Sequence, residues 1–332
     1  MQGPFDSAIE FLAENLKKKL AYIGSIQKEV AREIRVICGC PLQIVDKNGT
    51  HYITNEGKPS RIVDEKCYFV TKNDIEESFR RICGYSVHTH QNEIKNGYIT
   101  LKGGHRAGIC GTAVLDGGNV VTVKDISSIN IRIARQITGV TEKILPSWVI
   151  SDPRSLIIAG PPCSGKTTLL RDMARTLSSL GKRVSVVDER GELSAVFQGC
   201  PQNDLGNCCD VLNYYPKPFG IMTALRVMSP EVIICDEIGG FEEAQQIKSG
   251  LNCGVRFILT AHCFDSESFF RRPQISELLS SKEFSCIAFL KGGVNVGQPA
   301  EIMTIGKDRY EINGSYVNSA VVNSIRGFNV RT

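Results

Sequence analysis

The chain has 332 residues, 42% of them hydrophobic and 22% charged, the make-up of a globular protein long enough for two domains. Its 39 basic and 35 acidic residues leave a net charge of +4, too mild to argue by itself for nucleic acid or membrane. No apolar run approaches the roughly 18 residues of a spanning helix, and the N-terminus, MQGPFDSAIEFLAENLKKKL, is amphipathic without a signal-peptide core, so a cytosolic chain with no direct membrane span is expected.

Residues 5–35 read as one or two helices, with Phe5, Ile9, Leu12, Leu16, Leu20 and Ile23 at helical spacing. Strand signals follow over 33–70 in IRVIC, PLQIV, HYIT and KCYFV, with Asn48-Gly49 as a hairpin turn. Thr71 to Cys83 returns to helix, with Asn73 and Glu76 as its capping box and Ile75, Phe79 and Ile82 on one face. Residues 94–123 are strand-rich and hold many glycines. In 127–138 the alternation Ile129, Ile131, Ile133 favours a strand at the start. Residues 1–140 are therefore expected to form a mixed α+β N-terminal domain. Residues 139–154, with Pro146 and Pro153, read as the connection into a second domain, 141–332. There the apolar runs LIIA (156–159), VSVVD (184–188), VIICD (232–236), FILTA (257–261) and CIAFL (286–290) alternate with helical stretches, which implies an α/β fold on a parallel sheet. The 13 cysteines are scattered without paired C-x-x-C motifs, so Cys200, Cys208 and Cys209 make a weak zinc set and reduced thiols are expected.

In SLIIAGPPCSGKTTLLR, 155–171, a buried-strand run leads into a loop and then a helix with Leu169, Leu170, Met173 and Leu177 at helical spacing. The octet Gly160, Pro161, Pro162, Cys163, Ser164, Gly165, Lys166 and Thr167 fits G-x-x-x-x-G-K-[ST], with Thr168 next. Backbone N–H groups can surround a triphosphate only where side chains do not block approach, hence Gly160 and Gly165. The helix start adds unpaired N–H groups and a positive dipole end. Lys166 is placed for the β- and γ-phosphates and the Thr167 hydroxyl for Mg²⁺, so ATP and Mg²⁺ are the implied ligands. Pro161 and Pro162 stiffen the loop and belong on its outer turn.

The run VIIC ends in Asp236 and Glu237. Asp236 is expected to hold Mg²⁺ through water, and Glu237 to orient or deprotonate the attacking water. A second acidic strand end, 186–192, brings Asp188 or Glu189 toward the same water with Arg190 and Glu192 nearby; an ordinary loop ion pair is the alternative. Thr260-Ala261-His262 ends the run FILTA, where a polar residue beside the acidic strand can touch the γ-phosphate or Glu237; a structural loop histidine is the alternative for His262. Lys102, His105, Arg106, Lys124, Arg132 and Arg135 gather before the connection, and Arg226 precedes the acidic strand. Any of these cations can serve a phosphate, including one in a neighbouring subunit, or be solvated surface.

The strings GPPCSGKTTLLRD, VVDERGEL, ALRVMSPEVIICDEIGG, LNCGVRFILTAHC and RRPQISELL, with GGHRAGICGTAV and SSINIRIARQITG upstream, resemble the stage III sporulation protein AA family over about residues 30–305. That family is related to the secretion ATPases of type II and type IV systems. The resemblance implies a RecA-like P-loop NTPase core, a hexameric ring and ATP hydrolysis. It matches VVDERGEL to an acidic box, so Glu189, and TAHC to a histidine box reduced to His262. It further implies a role in the mother cell of a spore-forming bacterium, powering a channel complex around the forespore and docking on membrane subunits from the cytosol. A nucleic-acid-binding ATPase on a related core is the alternative, disfavoured by the mild charge and single tryptophan. A nucleotide-gated scaffold with little turnover is a third.

Overall fold

The computed structural model describes residues 3–95, 97–144, 154–292, 299–305 and 310–313. Most of the connection expected over 139–154, with Pro146 and Pro153, lies outside the described residues. The chain divides into two compact units, Met1–Arg135 with Ala195–Gln202, and Gln136–Ser194 with Asn203–Thr332.

In the first unit the N-terminal apolar periodicity is helical but interrupted. Ala13 and Gly24 take extended backbone, and the helices are Pro4–Ile9, Glu14–Ala21 and Ser25–Val30. Strands β1 (Glu33–Ile37), β2 (Gln43–Asp46), β3 (Gly49–Ile53), β4 (Pro59–Ser60), β5 (Tyr98–Thr100), β6 (Arg106–Asp116) and β7 (Asn119–Arg132) form one antiparallel sheet in the order β4-β3-β2-β1-β7-β6-β5. Successive strand residues alternate between faces. Ile34, Val36, Ala107, Ile109, Ile129 and Ile131 therefore share one core with Phe5, Leu12, Leu16, Leu20 and Ile75. Burial of each large apolar side chain contributes about 1.5–3 kcal/mol.

Two local expectations shift by a residue or two. Asp46 pairs with Gly49, so the hairpin loop is Lys47-Asn48 rather than Asn48-Gly49. The reason is the Asp46 carboxylate, which accepts the Asn48 N–H at 2.6 Å, while Gly49 at φ 115° opens β3. The helix Lys72–Ile82 is capped by Thr71 and Asp74, not by Asn73 and Glu76. Thr71 Oγ1 accepts the Asp74 N–H at 3.2 Å, Asp74 Oδ2 accepts the Thr71 N–H at 2.9 Å, and the Tyr68 hydroxyl donates to the same oxygen at 2.7 Å. The stretch 127–138 is strand to Arg132 and then irregular.

His105 is not a surface cation. It is 1% exposed, its Nδ1 accepts the Ala134 N–H at 3.0 Å, and its Nε2 lies 2.8 Å from Ser7 Oγ. The accepted bond puts the ring proton on Nε2, which donates to the serine. Burial, reinforced by the Arg135 charge, pushes the imidazole down to about 4. Arg135 itself donates to the carbonyls of Ala31 at 2.5 Å and Lys28 at 3.0 Å.

In the second unit β8 (Ser155–Gly160), β9 (Val184–Asp188), β10 (Cys209–Asn213), β11 (Val232–Cys235), β12 (Arg256–His262), β13 (Phe284–Leu290), β14 (Pro299–Ile305) and β15 (Tyr310–Asn313) lie in the order β10-β9-β11-β12-β8-β13-β14-β15. The pairings from β10 through β13 are parallel; β14 and β15 add on antiparallel. Both faces of the parallel part are covered, as the unbroken apolar runs require. Leu156, Ile158, Val186 and Ile234 pack with Leu169, Leu170, Met173 and Leu177 of the helix Lys166–Ser179. Ile157, Ile233, Phe257 and Leu259 pack with Ala244, Ile247 and Leu251 of the helix Phe241–Asn252 on the other side. Among the described residues no helix is long and apolar enough to cross a membrane.

His105 gives the first unit a pH-dependent stability. The unfolded imidazole takes a proton near 6.5 and the folded one only near 4. The unfolded chain binds more protons between these values, so stability falls as pH drops through that window and is fully present above it. Urea denaturation from pH 4 to 8 is expected to show this slope in the wild type and a shallower one in His105→Gln.

Candidate nucleotide-binding site

β8 is buried along its whole length and delivers its carboxyl end to the loop 161–165. Pro162 and Cys163 are exposed on the outer turn, Pro161 is half-buried, and Ser164 is buried. Cys163 (φ 59°) and Gly165 (φ 92°) take left-handed backbone, which turns the chain sharply into the helix Lys166–Ser179. No side chain caps that helix, so the N–H groups of Lys166, Thr167 and Thr168 open its first turn uncapped. A Cβ on Gly160 would lie 2.9 Å from both the Leu290 carbonyl oxygen and Ser164 Oγ, so only glycine fits. The Ser164 hydroxyl is buried without a hydrogen-bond partner.

Lys166 is 5% exposed. Its ammonium donates to the carbonyls of Gly160 at 3.0 Å and Pro161 at 2.8 Å and to His262 Nδ1 at 3.2 Å. Burial pulls it below the ordinary lysine value, opposed by Asp236 and Glu237. An ammonium only donates, so His262 Nδ1 accepts, and Nε2 carries the proton that is donated to Glu237 Oε1 at 2.6 Å.

β12 lies between β8 and β11, so its end meets both the loop and the acids. Thr167 Oγ1 donates to Asp236 Oδ2 at 2.9 Å, and Thr260 Oγ1 donates to Asp236 Oδ1. The same Thr260 oxygen accepts the Glu237 N–H at 2.7 Å. Glu237 sits at φ 50°, a region other residues than glycine enter at a cost of about 1–3 kcal/mol. Burial alone would raise its carboxyl, but the His262 hydrogen bond and the charges of Arg190, His262 and Lys217 hold it below the usual carboxylate value. Arg190 Nη1 is 3.3 Å from Glu237 Oε2.

The second acidic strand end divides in two. Asp188 is 2% exposed and accepts the N–H groups of Glu192 and Ser194, each at 2.8 Å, and the Ser194 hydroxyl at 2.5 Å, which makes it the organiser of its loop. Glu189 instead faces Lys217, 3.5 Å from its Nζ. Lys217 was not legible as a site residue. Its ammonium donates to the Glu237 carbonyl at 2.5 Å and lies 3.8 Å from Glu243. The available signal was a cation on the first residue of the helix Lys217–Thr223, where the helix dipole disfavours it and neighbouring carboxylates must compensate. Arg226 is exposed on the turn Ala224–Met228, and Arg132 belongs to the first unit, 3.7 Å from Glu33.

These residues fit a magnesium nucleotide. The glycine-lined loop, uncapped helix start and unpaired Ser164 hydroxyl suit phosphate oxygens. Thr167 and Asp236 are the hard oxygen donors that Mg²⁺ takes. Thr260→Val removes one donor and one acceptor from a buried position. It is expected to lower stability by about 1–3 kcal/mol in urea denaturation, because Asp236 Oδ1 and the Glu237 N–H lose their hydrogen-bond partner.

The family model described as Sporulation stage III, protein AA matches residues 6–313. Stage III sporulation protein AA of Bacillus subtilis (strain 168) is 36% identical over 281 residues, covering 83% of this chain and 87% of that protein. The uncharacterized protein ycf45 of Cyanidium caldarium is 31% identical over 163 residues, 48% of each chain. Among solved structures, the pilus retraction motor PilT with bound ADP aligns with a TM-score of 0.53 at 14% identity, over 92% of this chain and 86% of that one. That likeness is one of fold, a RecA-like P-loop core on a parallel sheet preceded by an α+β unit. The chain belongs to the stage III sporulation protein AA family.

Proposed function

We propose that this protein hydrolyses ATP and, as a ring of identical subunits, drives a secretion-like channel complex in sporulation, working in the cytosol and held at the membrane by partner subunits. The observation that carries the catalytic part is one connected hydrogen-bond path. It runs from Thr167 through Asp236 and Thr260 to the Glu237 backbone, and from Lys166 through His262 to the Glu237 carboxylate. Gly160, Pro161, Pro162, Cys163, Ser164, Gly165 and Thr168 form the cradle, and Thr167 with Asp236 the magnesium half-site. Mg²⁺, when bound, supplies positive charge at the β- and γ-phosphates. Lys166 exchanges its carbonyl partners for phosphate oxygens. Glu237, kept ionised, orients the attacking water and accepts its proton, while His262 restrains the carboxylate through Nε2.

The ring reading rests on the family and on the fold shared with a pilus motor. A nucleotide at the edge of a parallel sheet needs a cover that excludes water and completes the charge. Among the candidate arginines we favour Arg226, which is exposed and makes no ion pair among the described residues, over Arg132, which lies 3.7 Å from Glu33. An arginine given in trans contributes about 10³-fold or more to turnover.

Lys166→Ala is expected to abolish tight ATP binding. Glu237→Gln is expected to bind ATP normally and turn it over about 10²-fold or more slowly. Equilibrium binding and phosphate-release assays on folded variants check both; near-normal turnover by Glu237→Gln moves the water-activating role to Glu189. The ring requires specific activity to rise with protein concentration and Glu237→Gln subunits to poison the wild type beyond dilution. A concentration-independent rate from monomers removes the ring.

A further inference from the structure

The sheet of the first unit has a second face, turned away from the core of Ile34, Ile129 and Ile131. On it Arg35 of β1, Asn130 and Arg132 of β7, Arg106 and Gly108 of β6, and Tyr98 of β5 line a groove of about 320 Å³. Strand register explains the arrangement. Arg35, Asn130, Gly108 and Tyr98 form one row across four strands, and Glu33, Arg132 and Arg106 form the next. Arg106 stands directly opposite Arg132, a like-charge juxtaposition that weakens a sheet. Arg106 also lies over the Tyr98 ring, 4.9 Å from its centroid. Arg132 meets Glu33 only at 3.7 Å, and Arg35 makes no ion pair among the described residues.

Gly108 makes the groove. A Cβ there would meet the Asn130 carbonyl oxygen at 3.6 Å and the Asn130 Cβ at 3.9 Å, ordinary contacts, and the backbone is not left-handed. The fold therefore does not require glycine at this point. Its missing side chain leaves a notch between Asn130 and Tyr98, walled by guanidinium groups. Repelling arginines around an open notch cost stability, and such positions are expected where binding compensates.

We propose that this groove binds an acidic segment of a partner polypeptide, with carboxylates on Arg35, Arg132 and Arg106 and the peptide backbone over Gly108. Charge complementarity and spacing favour that occupant. β7 separates the strands of Arg35 and Arg106, so their backbones are about 10 Å apart. Carboxylates repeated along a chain match that spread, each taken by one guanidinium fork, better than a single phosphate does.

The test is fluorescence anisotropy of a labelled oligoglutamate peptide with the full chain. The peptide is expected to bind, and Arg35→Ala and Gly108→Val each to weaken it by about tenfold or more, the loss of one charge-assisted contact or of the notch. Arg80→Ala removes the same charge from an exposed position of the helix Lys72–Ile82 and is expected to leave binding unchanged. Melting curves of both groove variants establish that they are folded. Absence of peptide binding, or equal weakening by Arg80→Ala, overturns the proposal. So does tighter Arg35-dependent binding of inorganic phosphate than of the peptide, which would make the groove a small-anion site.

Discussion

One threonine oxygen ties the two acids of the site together. Thr260 donates to Asp236 and accepts from the Glu237 N–H, reaching across from the strand that separates the phosphate loop from the acidic strand. Without it, Asp236 keeps a single hydroxyl partner, Thr167, and Glu237 loses the bond that holds its left-handed backbone. Lys217 supplies a second restraint from the opposite direction by taking the Glu237 carbonyl. The Glu237 backbone is thus fixed at both its N–H and its C=O, and its carboxylate is fixed by His262 and Arg190. In the proposed reaction this preorganisation means that a carboxylate need not search for its position when substrate arrives.

How much was legible follows from how local each signal is. The octet 160–167 and the acids 236–237 are local: turn, strand end and helix start lie within a few residues, so residue types at fixed spacing suffice. Strand order is not local. That β12 lies between β8 and β11 makes Thr260 a partner of both acids, and only the assembled sheet decides this. The Lys217–Glu237 contact spans 20 residues, two helical segments and a strand, beyond the reach of periodicity. Asp188 and Glu189 are adjacent in sequence and look equivalent, yet Asp188 ends β9 and accepts the loop N–H groups while Glu189, in the turn beyond it, faces Lys217. His105 looked cationic because a histidine beside Arg106 gives no sign of its burial. The capping box moved from Asn73–Glu76 to Thr71–Asp74 because the Tyr68 hydroxyl, outside the motif, shares the Asp74 oxygen.

The two units carry chemistry of different kinds. The second unit concentrates its charges at the edge of one sheet, around a loop whose glycine is enforced by contact with Leu290 and Ser164. The first unit spreads arginines over an open sheet face, where a glycine is kept although a side chain would fit. The proposed conversion of nucleotide and the proposed capture of an acidic partner are thus separable by substitution, since the residues of the phosphate loop and acidic strand end are not those of the groove.

The most direct measurement is a crystal structure of the full chain with Mg²⁺ and ADP. Phosphate is expected against the N–H groups of 164–168, with the Lys166 ammonium withdrawn from the Gly160 and Pro161 carbonyls, Mg²⁺ beside Thr167 and Asp236, and the Thr260 bonds to Asp236 and Glu237 retained. ADP bound elsewhere, or bound at the loop with Lys166 still on both carbonyls, would contradict that arrangement.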